Sequence, residues 1–166
     1  IKALGIAKRE GKDIVVAVSG NHEDSRDPDY FPKLLSLIAA ESVEENFRLL
    51  GMIPYDDVQA LMLSAAALIN PSRFEGWSTT VEEAKSLGVE MLLSDINVHR
   101  EQAEQNALFF AQDKPSQLAK KMSGLPSISI DERIGNLKGA AERSELFMSR
   151  FADKFTTVIE ASAKKI

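Results

Sequence analysis

Two glutamates, Glu75 and Glu83, stand eight residues apart in the stretch PSRFEGWSTTVEEAKSLG, Pro71 to Gly88. Ionised carboxylates are pure hydrogen-bond acceptors, and acceptors of that kind recognise neutral polyol hydroxyls. They repel a diphosphate, so in a site that also holds phosphate each must face a sugar hydroxyl. Phosphate has a place beside them, because Ser78, Thr79 and Thr80 lead into a helix whose first backbone N–H groups lack intrahelical partners. Gly76 allows the chain to turn there or to approach a ligand closely. A purely structural reading competes with this one. Thr79 with Glu82, and Thr80 with Glu83, each fit the S/T-x-x-E capping box, in which the carboxylate satisfies a backbone donor and favours the helix dipole. Glu75 precedes the helix by several residues, and its plain alternative is solvation in a loop.

Other residues with chemical potential are read as structural. Asp27 and Asp29 form a D-x-D pair, the pattern of a divalent-metal site, but they lie in the polar, proline-broken EDSRDPDYFP and are read as a solvated loop. His22 follows the first strand in SGNH, which lacks the G-x-G-x-x-G of a dinucleotide site, and is read as a surface histidine. His99 and Arg100 open a helix, with Asp95 and Asn97 as candidate caps. Trp77 fits both stacking on a ligand and anchoring its own loop. The chain has no Walker motif, no G-x-S-x-G elbow and no Cys/His metal spacing.

The elements that position Glu75 and Glu83 follow from hydrophobic patterning. Short apolar runs fit buried parallel strands at residues 14–18, 47–51, 66–70, 90–94 and 107–111. Helical stretches alternate with them at 31–40, 56–65, 80–87, 98–105 and 115–122, and an opening helix from Ile1 ends near Gly11. This alternation implies right-handed crossovers and a Rossmann-like α/β fold, a parallel sheet flanked by helices on both faces. Ligands of such sheets bind beyond the carboxyl ends of the strands, where PSRFEGWSTT leaves the third. After Gly124, LPSISIDERIGN reads as a connection and Leu137 to Ile166 as a C-terminal helical segment with an apolar stripe at Leu146, Phe147, Phe151, Phe155, Val158 and Ile159. The division is therefore a lobe at 1–136 and a helical segment at 137–166.

Composition narrows the function. At 166 residues and 44% hydrophobic content the chain builds one sizeable core. Its 20 basic against 25 acidic residues create no field for a phosphate backbone, so no nucleic-acid partner is expected. No apolar run approaches the roughly 20 residues of a transmembrane helix. Zero cysteines exclude disulfides and thiolate chemistry, which suits a cytoplasmic location. The first residues lack both an initiator Met and a signal-peptide pattern, and a strand is expected to precede the first helix.

INPSRFEGWSTTVEEAKSLG, followed by LLSDINVHREQ and preceded by NFRLLGMIPYDDVQALMLSAAALINPS, resembles the nucleotide-sugar-binding signature of family 4 glycosyltransferases of the GT-B fold, the E-x7-E retaining group. The likeness runs from Ile14 to about Met122. It implies that Glu75 contacts the donor hexose and serves at the reacting sugar, while Glu83 holds the ribose hydroxyls. It places the backbone of Gly76, Trp77, Ser78 and Thr79 around the sugar and diphosphate, and Met52 and Ile53 beside the base. The sequence departs from the family at Ser78, where a second glycine is usual, and at GVEMLL, which lacks the small-x-Pro step. No match exists for the family's arginine and lysine that neutralise the diphosphate. The resemblance thus implies the donor-binding half of a hexosyltransferase, inactive alone, whose partners are a nucleoside diphosphate sugar and an acceptor-binding lobe outside this chain. No cofactor and no metal are implied, and membrane association, if any, comes through that other lobe. A GT-B nucleotide-sugar epimerase and a non-catalytic nucleotide- or protein-binding module are the competing readings.

Overall fold

The computed structural model describes residues 1–22, 27–103 and 107–163. Twelve elements alternate along the described chain: α1 (Lys2–Arg9), β1 (Val16–Ser19), α2 (Tyr30–Ala40), β2 (Phe47–Gly51), α3 (Tyr55–Ser64), β3 (Leu68–Asn70), α4 (Thr79–Ser86), β4 (Met91–Ser94), α5 (Asn97–Ala103), β5 (Ala107–Phe110), α6 (Pro115–Ser123) and α7 (Ile130–Ala163). Every strand pairing is parallel, as expected from apolar runs separated by helices.

The strands form two ladders where a single sheet was expected: β1 pairs with β2, and β3, β4 and β5 pair in that order. Side chains join the two ladders. Val16, Phe47 and Leu49 of the first pack with Ile69 and Leu92 of the second in one cluster, beneath Ala3, Leu4 and Ala7 of α1. A second cluster covers the opposite face, built from Met62, Val81, Ala84 and Ala103 against Met91 and Leu93. Strand β4 shows the two-faced covering directly. Met91, Leu92 and Leu93 are all fully buried, and alternate residues enter different clusters because successive strand side chains point to opposite faces. Helices α1, α2 and α6 therefore line one face and α3, α4 and α5 the other, the arrangement of a Rossmann-like layer.

Helix ends follow local chemistry. Helix α1 closes with Lys12 N–H on the Ala7 carbonyl and Gly11 N–H on Lys8, a Schellman pattern with Gly11 at φ 77°. The connection expected through residue 136 is shorter, since α7 begins at Ile130. The cause is a complete capping box. Ser129 N–H and Oγ–H both donate to Glu132 Oε2 at 2.8 Å, and Glu132 N–H donates back to Ser129 Oγ at 3.2 Å. The backbone and hydroxyl donors of Ser129 hold the Glu132 carboxyl below the usual glutamate range. Helix α7 then runs on as one 34-residue element in which Ala140 is buried and the apolar stripe from Leu146 to Ile159 is exposed.

Helix α4 meets α7 at its own end. Val89 N–H returns to the Ala84 carbonyl at 2.9 Å, with Gly88 at φ 66° between them. A Cβ on Gly88 would press on the Asn136 carbonyl and peptide of α7. Gly88→Ala is therefore expected to destabilise the fold by at least ~2 kcal/mol, adding left-handed strain to a backbone clash. Denaturant unfolding checks the magnitude, and amide exchange across residues 130–140 checks that α7 loosens first.

Candidate functional site

The site grows from the carboxyl end of β3. Asn70, the last residue of that strand, is buried, and all its amide atoms are engaged. Its Oδ1 accepts the Ser72 N–H at 3.1 Å, while Nδ2 donates to Ser78 Oγ at 3.0 Å and, more weakly, to Glu75 Oε1 at 3.4 Å. Ser72 Oγ donates to the same Glu75 oxygen at 2.7 Å. The loop from Pro71 to Ser78 is thus folded back on the strand that launches it, and Glu75 is fixed by one oxygen. Its Oε2 has no hydrogen bond among the described residues.

The neighbouring strand end braces this loop. Ser94, the last residue of β4, donates a short hydrogen bond from its hydroxyl to the Ser72 carbonyl. His99 is fully buried behind it, with Nδ1 2.9 Å from the Ser94 carbonyl and 3.2 Å from Ser94 Oγ. Because the Ser94 hydroxyl proton is spent on Ser72, the network assigns the imidazole proton to Nδ1, donating to the Ser94 carbonyl. Nε2 is buried and without a hydrogen-bond partner among the described residues. His99 is a structural residue, as its sequence context indicates. Asp95 does not cap α5; it forms a forked ion pair with Arg100 at 2.6 and 2.8 Å, whose hydrogen bonds hold the Asp95 carboxyl below the usual range.

A second brace comes from α5. The buried amide of Gln102 reads both backbone groups of Ser78, accepting its N–H at 3.1 Å and donating to its carbonyl at 3.0 Å. Gln102 Nε2 also donates to Glu82 Oε1 at 2.9 Å, and Lys85 pairs with the same carboxylate. Ser78 N–H is therefore committed to the protein, which corrects the expectation that the whole run from Gly76 to Thr79 offers its amides to a ligand. Gly76, Trp77 and Thr79 are exposed around it, the indole with 55% of its surface in solvent.

The two proposed capping boxes do not form. Ser78 is the N-cap of α4 and makes no side-chain cap bond. Its hydroxyl is occupied by Asn70 and lies 3.1 Å from Thr80 Oγ1. Glu82 is held by Lys85 and Gln102 instead of by a backbone donor. Glu83 is half-buried, and Tyr55 Oη donates to its Oε1 at 3.1 Å. Tyr55 opens α3, directly after the loop that carries Met52 and Ile53. Met52 is the more open of that pair at 77% exposure, and Ile53 is half-buried. The structure thus links Glu75 with Ser78 through Asn70, and Glu83 with the loop after β2 through Tyr55.

Of the remaining sequence candidates, His22 lies beside Gly51 at the end of β2, and Asp27 and Asp29 lie at the start of α2. His22 is exposed and stacks on Phe31, with ring centroids 4.5 Å apart. Asp27 pairs with Lys33 at 3.5 Å, and Asp29 is the N-cap position of α2. Among the described residues no three His, Asp or Glu side chains converge as a metal site. Sequence reasoning passed over Asn70, Ser72, Ser94, Gln102 and Tyr55, although Asn70 and Ser94 share a signal, a polar residue ending an apolar strand at the ligand-binding edge.

Removing the Gln102 side chain would strand the buried Ser78 N–H, while the Ser78 carbonyl would keep only the Glu82 N–H at 3.3 Å. Gln102→Ala is expected to cost about 2 kcal/mol or more in unfolding free energy and to speed exchange of the Ser78 amide, both measurable on the purified chain.

A family model described as glycosyl transferases group 1 matches residues 1–133. The chain is 26% identical over 163 residues to WclY, an O-antigen biosynthesis glycosyltransferase of Escherichia coli, an alignment covering 92% of this chain and 41% of that protein. HepE of Anabaena, solved in complex with UDP, superposes with a TM-score of 0.69 at 16% identity, covering 94% of this chain and 44% of that one. A glycosyltransferase from Rickettsia africae gives 0.68 at 19% identity, covering 84% and 37%. The chain spans about two-fifths of the length of these proteins, and its fold is that of one Rossmann-like lobe of a GT-B glycosyltransferase.

Proposed function

The chain belongs to the glycosyl transferases group 1 family, and on that footing we propose that it is the donor-binding half of a retaining enzyme that moves a hexose from a nucleoside diphosphate sugar to a hydroxyl acceptor. The observation that carries this reading is the state of the two glutamates. Glu75 and Glu83 each have one carboxylate oxygen held by a hydroxyl donor, Ser72 or Tyr55, and a second with no hydrogen bond among the described residues. Such a carboxylate is oriented and still able to accept from a polyol. Glu82, one residue from Glu83, differs in having both carboxylate oxygens engaged, by Lys85 and Gln102.

In this reading Glu75 meets the transferred hexose and Glu83 the ribose hydroxyls. The amides of Gly76, Trp77 and Thr79 at the start of α4 face the diphosphate, and Met52 and Ile53 flank the base. The protein's work is to hold the sugar in line and to stabilise charge on the departing diphosphate. The scheme needs no metal or cofactor. The cations that complete the phosphate site lie outside this chain, the acceptor site belongs mostly to another lobe of the same enzyme, and the exposed stripe of α7 is the surface this chain offers that lobe. The name of the Escherichia coli relative supports transfer over epimerisation and a place in polysaccharide biosynthesis, and UDP in the HepE structure supports a nucleoside diphosphate donor. Among the described residues no helix is long and apolar enough to cross a membrane, and we place the reaction on the cytoplasmic side, with the other lobe as any route to a membrane.

The test is calorimetric titration of the full-length protein with UDP-, GDP- and ADP-sugars. Glu75→Ala and Glu83→Ala should each weaken the preferred donor roughly 10- to 100-fold, the value of a hydrogen bond to a charged group. Glu82→Ala should lower stability and leave donor affinity in place. Unchanged affinity in both of the first two variants would overturn the site.

A further inference from the structure

Tyr55 supplies something that neither the family relationship nor the E-x7-E spacing accounts for. It is the first residue of α3, beyond the turn made by Met52, Ile53 and Pro54, and 28 residues before the glutamate it touches. Its hydroxyl donates to Glu83 Oε1 at 3.1 Å, while its own residue remains 56% exposed. An exposed tyrosine at the start of a helix contributes little to a core. Among the described residues its one hydrogen bond from the side chain is to the carboxylate assigned to the ribose.

The chemistry of that contact is specific. A carboxylate on a helix surface samples several rotamers, and fixing it at the moment of binding costs conformational entropy. A phenol donating to one oxygen removes part of that cost beforehand. The oxygen so engaged keeps a lone-pair direction to spare, and the other oxygen is untouched among the described residues, so a ribose diol can still be accepted. Glu75 is served in the same way by Ser72, at 2.7 Å, within its own loop. Among the described residues the Glu83 carboxylate takes no bond from the hydroxyls nearest it on its own helix, Thr79, Thr80 and Ser86, and its hydroxyl donor comes from the element that follows the base-flanking loop.

We propose that Tyr55 is a positioning residue of the donor site, which pre-orients Glu83 for the ribose and couples that carboxylate to the loop at Met52 and Ile53. The inference rests on Glu83 holding the ribose, a reading that Glu83→Ala tests by itself.

The experiment measures affinities of the full-length protein for UDP, GDP and ADP, using whichever nucleotide binds best. Four proteins are compared: unchanged, Tyr55→Phe, Glu83→Ala and the double variant. Tyr55→Phe keeps the ring and loses only the donor, so its thermal midpoint should match that of the unchanged protein. It is expected to weaken the nucleotide roughly threefold to tenfold, in the range of a single hydrogen bond. In the double variant the Tyr55 change should have no further effect beyond Glu83→Ala, because Tyr55 acts through that carboxylate. Equal or tighter binding by Tyr55→Phe, with Glu83→Ala still weak, would overturn the role of Tyr55 and leave the donor site standing. Additive losses would also overturn it, since they would mean that Tyr55 reaches the nucleotide directly. Full affinity in Glu83→Ala, or no binding of any nucleotide by the unchanged protein, would remove the site reading and this inference with it.

Discussion

The arrangement depends on a buried amide at the end of a three-residue strand. Asn70 has to be satisfied where it lies, since an unpaired polar group in that position costs on the order of 1–3 kcal/mol. It is satisfied by pulling residues 72, 75 and 78 toward itself, and those residues are the loop that forms the site. The apolar core fixes β3 between its neighbours, and the polar strand ends translate that position into loop geometry. Ser94 repeats the device one strand over, and Gln102 extends it to the start of α4. The site therefore rests on regular elements through side-chain bonds, with few degrees of freedom left to the loop itself.

Much of this order was legible in the sequence, and the reasons differ by element. The run FRLLG became β2 over the same residues, because an apolar stretch bounded by polar turns has few alternatives. Met91 to Leu93 announced a strand buried on both faces by being apolar without interruption. Glu75 and Glu83 stood out by spacing and by their place after a strand. The division of the sheet into two ladders was not legible, because pairing partners are set by spatial order and not by local pattern.

The capping boxes mark the limit most clearly. Of the S/T-x-x-E matches in this chain three lie at a helix start, beginning at Thr79, Thr80 and Ser129, and of these the one at Ser129 alone forms the box. Nothing in four residues separates them. At Ser129 the segment is exposed and local bonds have no competitor. At α4 the competitors come from far along the chain: Gln102 takes Ser78 and Glu82, and Tyr55 takes Glu83. A local motif is realised where tertiary partners leave it alone, and long-range partners are what a single sequence conceals. The residues passed over in reading it, Asn70, Ser94, Gln102 and Tyr55, act at a distance or through a buried bond.

Gly88 joins two parts of the molecule that have different geometries. It ends α4, whose other end carries the site, and it lies so close to Asn136 that α7 cannot slide past without moving it. Beyond Ala140, α7 extends for about 35 Å at 1.5 Å per residue. A stiff rod of that length, seated at one end, converts angle into distance: a tilt of about 5° at the seat carries the far end through ~3 Å. The seat of α7 is thus a fulcrum set against the back of the helix that bears Glu83, with a long arm on one side and a short one on the other.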